Sequence, residues 1–355
     1  LRLGRSAEKT AEVRRHHHTV LLQKAETTSR RQAGILNNSR FFPSGNPMKI
    51  LLGGTPVQNA PPAAVTIGNF DGVHLGHRHI LQRLKSEAAA RGLQSTAVVF
   101  EPQPAEFFAR LRGSEPPPRL TPLRDKLRLL HESGCVDNVR VLRFNRAFSQ
   151  MPAEDFIEHI LQRELNTRYL LVGDDFRFGR DRAGSFDLLQ NHGGFVTERT
   201  PSILVAGIRA SSTAVRQALR EGRLKEAEQI LGHGCVLSGR VAHGRKLGRT
   251  IGSPTANIHL PPHRYALNGV FVVEASGAFG KRRGVASFGL NPTVSDSGRQ
   301  KLEVHLFDFS GNLYGHRLFV RFLHKLRDEE KFGDMEQLRQ QIAADIRAAK
   351  SWQSA

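Results

Sequence analysis

The sequence predicts two domains of different class, an α/β parallel sheet followed by an all-β closed barrel. Its 355 residues exceed one typical domain. From Ala63 to about Gly232, short apolar runs alternate with helical segments. After Gly232-His-Gly234, period-two runs separated by Gly, Asn and Asp take over.

Residues 1–47 mix Arg, Thr, Ser and His without a sustained apolar period, and are expected to lie outside the fold. Met48 precedes a strand-like Lys49-Ile-Leu-Leu52 and is the expected physiological start. An Arg-rich transit peptide is the competing reading, against which Glu8, Glu12 and Glu26 count. The His16–His18 triplet is not by itself a metal site. Domains are therefore expected at 48–232 and 233–355.

Strands are expected at Ala63–Ile67, Thr96–Phe100, Asn138–Leu142, Tyr169–Val172 and Gly194–Thr197. Helices are expected between them at Leu75–Arg91, Leu123–Glu132, Pro152–Glu164 and Ser185–Gln190, with Gly92 and Gly134 placed as C-terminal caps. The Pro-rich Glu115–Pro118 reads as a loop. Such alternation implies βαβ units, a parallel sheet covered on both faces, and ligands at the carboxyl ends of strands. The barrel strands are expected at Val236–Val241, Val270–Ala275, Gly284–Phe288, Leu302–Phe307 and Leu318–Phe322, followed by a terminal helix from about Met335 to Ala349.

Composition narrows the function. A hydrophobic content of 39% and a mean hydropathy of −0.38 fit a soluble globular protein, and no run approaches a membrane span. Two cysteines, Cys135 and Cys235, lie far apart without a partner motif, which favours a reducing compartment, the cytoplasm, over a disulfide or zinc framework. The net charge is +19, of which residues 1–47 carry +6. The remaining basic residues are spread between motifs, as sites for phosphorylated ligands require, so no nucleic acid is expected as partner. A basic nucleic-acid-binding protein built on a nucleotide fold is the rival from another class, and it predicts steeply salt-dependent binding.

The most informative stretch is Thr66-Ile-Gly-Asn-Phe-Asp-Gly-Val-His-Leu-Gly-His77, where a strand, a glycine-rich turn and a helix N-terminus meet. Helix N-termini present free N–H donors and collect anions. Gly68, Gly72 and Gly76 allow close backbone approach, and His74 and His77 can donate hydrogen bonds to a phosphoryl group as its charge builds. A tight turn with surface histidines is the plainer alternative. Val172-Gly-Asp-Asp-Phe-Arg-Phe-Gly-Arg180 also emerges from a strand's carboxyl end; its aromatics and acids could hold a planar ring, or be a turn and core. Arg209-Ala-Ser-Ser-Thr-Ala-Val-Arg216 opens a helix that Ser211, Ser212 or Thr213 can cap, while Arg209 and Arg216 could neutralise a triphosphate. Its alternative is an ordinary cap with surface arginines.

In the second half, Gly239-Arg-Val-Ala-His-Gly-Arg-Lys-Leu-Gly-Arg-Thr-Ile-Gly-Ser-Pro-Thr-Ala-Asn257 suits a flexible loop over phosphates. Thr255 and Asn257, two apart, share one side of an extended chain and offer hard oxygen ligands to Mg²⁺. A hairpin loop is the alternative. Lys301-Leu-Glu-Val-His-Leu-Phe307 puts Glu303 and His305 on one face, and a carboxylate aimed at an interior site could take a proton from a hydroxyl. An exposed cross-strand charge pair would look the same. Leu326-Arg-Asp-Glu-Glu-Lys-Phe332 could be a charged helix start or a binding loop.

The first motif resembles the nucleotidyltransferase superfamily signature. Together the motifs resemble the bacterial bifunctional riboflavin kinase/FAD synthetase family, from residue 48 to about 350. The resemblance implies a Rossmann-like nucleotidyltransferase domain joined to a six-stranded antiparallel Greek-key barrel with a terminal helix. It implies conversion of riboflavin and ATP to FMN and ADP, then of FMN and ATP to FAD and pyrophosphate, both dependent on Mg²⁺. Carried over by motif, His74 and His77 would stabilise the α-phosphate transition state. Gly68, Phe70, Asp71, Arg209, Ser212, Thr213 and Arg216 would complete that ATP site. Asp175 and Phe176 would lie by flavin or adenine. Gly248, Arg249, Gly252, Thr255 and Asn257 would hold the kinase ATP, with Thr255 and Asn257 on the metal. Glu303 would activate the ribityl 5′-hydroxyl, and Arg327 and Phe332 would close the flavin site. Ser253 and Asn291 depart from the family, which usually has an aromatic residue and an arginine there. A monomer or weak homo-oligomer with only small-molecule partners is expected. A chain with one silent domain, or a flavin-binding regulatory module without turnover, are the remaining rivals.

Replacing Glu303 by Gln is expected to lower riboflavin kinase turnover by roughly 10²–10⁴-fold, a general-base contribution, while adenylylation of supplied FMN survives. Full kinase activity in that variant would remove Glu303 from the base role.

Overall fold

The computed structural model describes residues 35–36, 48–53, 60–192, 194–244, 253–290 and 299–353. Its first half is a seven-stranded sheet in the order β1-β2-β5-β4-β3-β6-β7. The strands are β1 (Ile35–Leu36), β2 (Lys49–Leu52), β3 (Ala63–Ile67), β4 (Gln94–Glu101), β5 (Asn138–Arg143), β6 (Thr167–Gly173) and β7 (Val196–Thr200). Every β3 residue is buried, as a strand covered on both faces requires. All neighbours run parallel except β1 and β2. Ile35 and Leu36 belong to the stretch expected to stay outside the fold, and they correct that expectation locally by pairing with Leu51 and Ile50. The physical reason is the edge of β2, whose backbone groups take a partner.

The helices of this half are α1 (Leu75–Ala90), α2 (Pro104–Leu111), α3 (Leu123–Glu132), α4 (Arg146–Ser149), α5 (Ala153–Asp155, continuing as a π-helical stretch Phe156–Glu164) and α6 (Phe186–Asn191). The sequence reading placed no helix at α2. Proline is tolerated in a first helical turn, and Glu106 accepts a hydrogen bond from the Gln103 backbone at 3.0 Å. From β3 the chain builds outward through β4 and β5, then returns to β6 on β3's other side. Strand order reverses there, and such a switch point opens a crevice outside the carboxyl ends of the two strands.

A two-stranded ladder, β8 (Leu204–Val205) with β9 (Ile208–Arg209), leads into a helical hairpin, α7 (Ser212–Arg220) and α8 (Leu224–Leu231). Gly232 caps α8 in the left-handed conformation at φ 72°. The barrel closes in the order β10-β11-β14-β13-β12-β15. Its strands are β10 (Val236–Ala242), β11 (Ala256–His259), β12 (Gly269–Gly277), β13 (Gly280–Leu290), β14 (Gln300–Leu306) and β15 (Arg317–Arg327). Four-residue β11 was not among the runs read from sequence, since so short a strand shows little alternation. The terminal helix α9 (Met335–Ser351) packs against β12, β13 and β15. Leu302, Val304 and Leu306 of β14 fill the barrel, so strand parity turns Glu303 and His305 outward. This corrects the expectation of a carboxylate aimed at the interior.

The two halves share buried surface. Val215 and Leu219 of α7 and Ile230 and Leu231 of α8 lie in one apolar cluster with Leu237, Phe271, Phe288 and Phe322 of the barrel. Polar contacts converge on residues 118–126. The Arg119 backbone donates to the Arg264 carbonyl at 2.7 Å and accepts from Ala266 at 3.1 Å. Its buried guanidinium pairs with Glu101 at 2.8 and 3.0 Å and with Glu106. Asp125, also buried, accepts from the Ser238 amide at 2.8 Å and hydroxyl at 2.5 Å.

Replacing Arg119 by Met strands the buried Glu106 carboxylate and half-buried Glu101, so unfolding free energy should fall by about 3–5 kcal/mol in urea titrations, as for a broken buried ion pair. A loss below about 1 kcal/mol, the scale of a surface pair, would show that these buried ion pairs do not stabilise the fold.

Candidate active sites

The first site is built where β3 ends. Phe70 turns the chain with φ 46°, and Gly72 follows at φ 80°. A side chain at Gly72 would be strained and would also press on Leu120 at 2.8 Å. His74 then caps α1, its Nδ1 accepting from the His77 amide at 3.3 Å. That hydrogen bond places the proton of a neutral His74 ring on Nε2. The His74 and His77 rings stack at 3.6 Å between centroids. Gly76 lets the Ala210 carbonyl approach the first helical turn, where a β-carbon would meet it at 2.8 Å. The segment following β9 is thereby brought against the α1 N-terminus.

Burial pushes His74 down to about 4, with Arg216 and His233 adding to the effect and Asp71 opposing it. Burial likewise holds His77 well below its usual value, and the neighbouring His74, Lys126 and Arg216 push the same way. Both rings are neutral at pH 7. They are N–H donors beside a helix N-terminus, a combination suited to an anion that gains charge. Among the described residues His77 Nδ1 is buried without a hydrogen-bond partner.

Several residues carried over by motif hold the loop itself. Asp71 is buried, and its carboxylate accepts from the Leu120 and Thr121 amides at 3.1 and 3.0 Å, from the Thr121 hydroxyl at 3.2 Å and from Arg216 at 2.6 Å. Arg216 also donates to the Pro118 carbonyl at 2.6 Å. Phe70 lies in the core, 5.0 Å from the His77 ring. Ser212 donates to the Asp71 carbonyl at 2.9 Å, whereas Ser211 caps α7 and Thr213 is exposed. Arg209 makes longer, exposed contacts of 3.4 and 3.5 Å to Asp174 and Asp175.

Across the crevice, β6 ends in the loop bearing Asp175 and Phe176, and Phe176 stacks on buried Phe178 at 5.6 Å. Sequence reasoning missed a neighbouring aromatic wall. Half-buried Phe100 lies near the end of β4, and Phe144 and Phe148 follow β5, with Phe107 and Phe108 of α2 beside them and ring centroids 5.4–5.8 Å apart. Phe100 ends one apolar strand and Phe144 follows another, and that position was the available signal.

The second site lies on the barrel's outer face. In register, Glu303 sits between Asn257 of β11 and Ser287 of β13. The Thr255 hydroxyl lies 3.4 Å from Glu303 Oε2. His305 Nδ1 is 2.9 Å from the Pro254 carbonyl, which steadies the approach to Thr255. Gly244 passes so close to Asn257 that a β-carbon would meet its amide at 2.3 Å. The hydroxyl, side-chain carbonyl and carboxylate are hard oxygen donors of the kind Mg²⁺ takes alongside phosphate oxygens and water. The described residues hold no cluster of His, Cys, Asp or Glu that could bind a metal without such help.

A carboxylate that sequence reasoning did not single out, Glu329, accepts from the Ser287 hydroxyl at 3.0 Å. Burial raises its proton affinity, with Glu303 adding and Ser287 and Arg327 opposing. Arg327 is anchored to α9 through both Asp345 oxygens at 2.9 and 2.8 Å, and its guanidinium lies 5.7 Å from the Phe332 ring. Gly248, Arg249, Gly252 and Asn291 lie outside the described residues, while Ser253 is half-buried.

Comparison with known proteins agrees in both halves. A family model described as FAD synthetase matches residues 57–214, and one described as riboflavin kinase matches 231–353. A bifunctional riboflavin kinase/FMN adenylyltransferase of Escherichia coli K12 is 46% identical over 311 residues, 86% of this chain and 98% of that one. That of Pseudomonas fluorescens is 44% identical over 289 residues, covering 81% of this chain and 91% of its own. A solved structure described as a macrolide-efflux protein from Streptococcus pneumoniae superposes with a TM-score of 0.68 at 29% identity, over 84% of this chain and 97% of that one.

The depressed His74 makes stability fall in acid. The unfolded chain binds the proton that folded His74 refuses, so this contribution is complete above the ordinary 6.5 and is lost as pH falls toward about 4. The expected slope is about 1.4 kcal/mol per pH unit through that window, from this residue alone. His74→Asn, which keeps a capping acceptor, should flatten it in urea titrations at pH 7, 6 and 5. An unchanged slope would show that His74 titrates normally.

Proposed function

The chain belongs to the bifunctional riboflavin kinase/FMN adenylyltransferase family, and on that premise we propose how its residues divide the work. It is a transferase with two activities, ATP-dependent phosphorylation of riboflavin to FMN and adenylylation of FMN to FAD with release of pyrophosphate. Residues 48–232 carry the adenylyl transfer and residues 233–355 the kinase in this reading.

In the adenylyltransferase site, an FMN phosphate oxygen attacks the ATP α-phosphorus, and the bond to the pyrophosphate oxygen breaks. The observation that supports this reading best is the pair of stacked, neutral histidines at the α1 N-terminus. Their N–H groups, with free helical amides, meet negative charge as it grows on the α-phosphoryl oxygens, and they need no reorganisation to do so. Arg209, whose contacts to Asp174 and Asp175 are exposed and long, can exchange those carboxylates for the departing pyrophosphate. Arg216 is committed to Asp71 and Pro118, so it acts as a positioning residue, with Ser212. The isoalloxazine ring lies against Phe176 and the Phe100–Phe108–Phe144 wall, where stacking suits a flat polycycle.

In the kinase site, Glu303 takes the proton of the riboflavin 5′-hydroxyl as that oxygen attacks the γ-phosphorus and ADP leaves. Phosphoryl transfer relies on positioning and electrostatics, so no covalent nucleophile is required. Thr255 and Asn257 would hold Mg²⁺ through their side-chain oxygens, and the ion would neutralise the triphosphate there. Glu329 is a second carboxylate beside the base; through Ser287 it fixes the strand face that carries Glu303. Among the described residues no helix is long and apolar enough to cross a membrane, and Cys135 and Cys235 are both free and buried. Cytoplasmic work as a monomer or weak homo-oligomer, with small molecules alone as partners, completes the proposal.

Protein incubated with riboflavin, ATP and Mg²⁺ and followed by liquid chromatography should give FMN first and FAD later. FMN alone would mean a silent adenylyltransferase half, and neither product would overturn both assignments. Chelation of Mg²⁺ should stop both steps.

A further inference from the structure

The outer face of the barrel carries a second row of side chains beside the proposed kinase site. Leu237, Val241, Leu318 and Val320 lie in the core, so strand parity turns Arg240 of β10 and Arg317 of β15 outward. In register, Arg317 stands opposite Arg240, and Arg240 stands opposite His259 of β11. Like charges directly opposite on neighbouring strands destabilise a sheet. Among the described residues neither arginine forms an ion pair. Arg240 donates to the Gly315 carbonyl at 2.7 Å, and Arg317 to the Ser238 hydroxyl at 3.2 Å. Asp125 of α3 has one oxygen on the Ser238 amide and the other on the Ser238 hydroxyl. Arg124, in the first turn of α3, adds positive charge where a cation already opposes the helix dipole. Burial holds Arg317 below the usual guanidinium range, with Arg124 and Arg240 adding and Asp125 opposing.

The neighbouring row on the same face is that of the kinase. Ala242 of β10 stands opposite Asn257, and Asn257 opposite Glu303. Ala242 is two residues beyond Arg240, so about 7 Å along the strands separates the two rows. Arg240 is exposed and Arg317 half-buried, so a ligand can reach both. Guanidinium forks match phosphate oxygens in pairs, which an ammonium does not. We propose that Arg317, Arg240 and His259 form a phosphate-binding subsite on the barrel's outer face, which takes a phosphate group of a nucleotide that the kinase handles. The ATP consumed and the FMN produced both carry that group. The inference rests on the reading of Asn257 and Glu303 as the kinase site.

The test uses the whole chain with Arg240→Gln, a change at an exposed side chain. Without phosphate its melting temperature should equal or exceed that of the wild type, since a like-charge pair is relieved. Replacing chloride by inorganic phosphate at constant ionic strength should raise the melting temperature less than in the wild type. KM for ATP in the kinase reaction should rise roughly 10–100-fold with kcat little changed, as for a lost hydrogen bond to a charged group. Arg240→Lys, which keeps the charge without the fork, should recover part of the loss. An unchanged KM for ATP, with slower FAD formation from riboflavin but not from supplied FMN, would make FMN the ligand. An unchanged KM, an unchanged course of FAD formation and a wild-type response to phosphate would overturn the proposal. So would loss of both activities with a lowered melting temperature, which would make Arg240 structural. Glu303→Gln is run beside it. If that variant keeps full kinase turnover, the kinase reading fails and the proposal with it. If it is inactive while Arg240→Gln behaves as wild type, only the phosphate subsite fails.

Discussion

One buried carboxylate, Asp71, holds together the part of the molecule on which everything else depends. Its two oxygens accept four hydrogen bonds, from two backbone amides, a hydroxyl and a guanidinium. That fills the acceptor sites an ionised carboxylate offers. The donors come from the segment before α3 and from α7, so one side chain ties the β3–α1 turn to both. The turn itself is in a tense conformation, with Phe70 and Val73 at positive φ. Such backbone persists only where surrounding contacts over-determine it. Here the Asp71 network and the core around Phe70 do so.

The same segment carries the link between the halves. Between Pro118 and Lys126 the chain binds Arg216, then the barrel loop at 264–266, then Asp71, then Ser238. The first three contacts fall on consecutive residues and the last follows four residues on, so displacement of the barrel loop would be felt at the β3–α1 turn. Arg119 makes the coupling stiff, because its guanidinium is buried against two carboxylates that would otherwise be left without a counter-charge.

Much of this was legible in sequence, for identifiable reasons. β3, α1 and α3 emerged because apolar periodicity, glycine caps and a helix start all pointed the same way. The face that Glu303 shares with His305 follows from period two, but whether that face looks into the barrel or out of it does not. The role of Asp71 could not be read, since its partners lie some 49 to 145 positions away. A motif states which residues occur together, not which of them touch a ligand and which hold the others. The burial of Lys126 was invisible for a further reason. It sits in a helix beside Arg124 and Arg128, where a lysine normally faces water, and only tertiary packing buries it.

The first site therefore pairs two opposite electrostatic conditions a few residues apart. Around Asp71 every donor and acceptor is matched, and this stabilises the fold. At His77 a buried nitrogen is left unmatched, and this destabilises it. The unmatched group stays in place because the matched ones fix the backbone that bears it. Were the loop free to relax, His77 could turn toward water and satisfy its buried nitrogen there. A saturated Asp71 removes that escape. Its saturation thus fixes the turn that bears the histidines, and the stability lost at the unmatched His77 nitrogen is offset within the same turn.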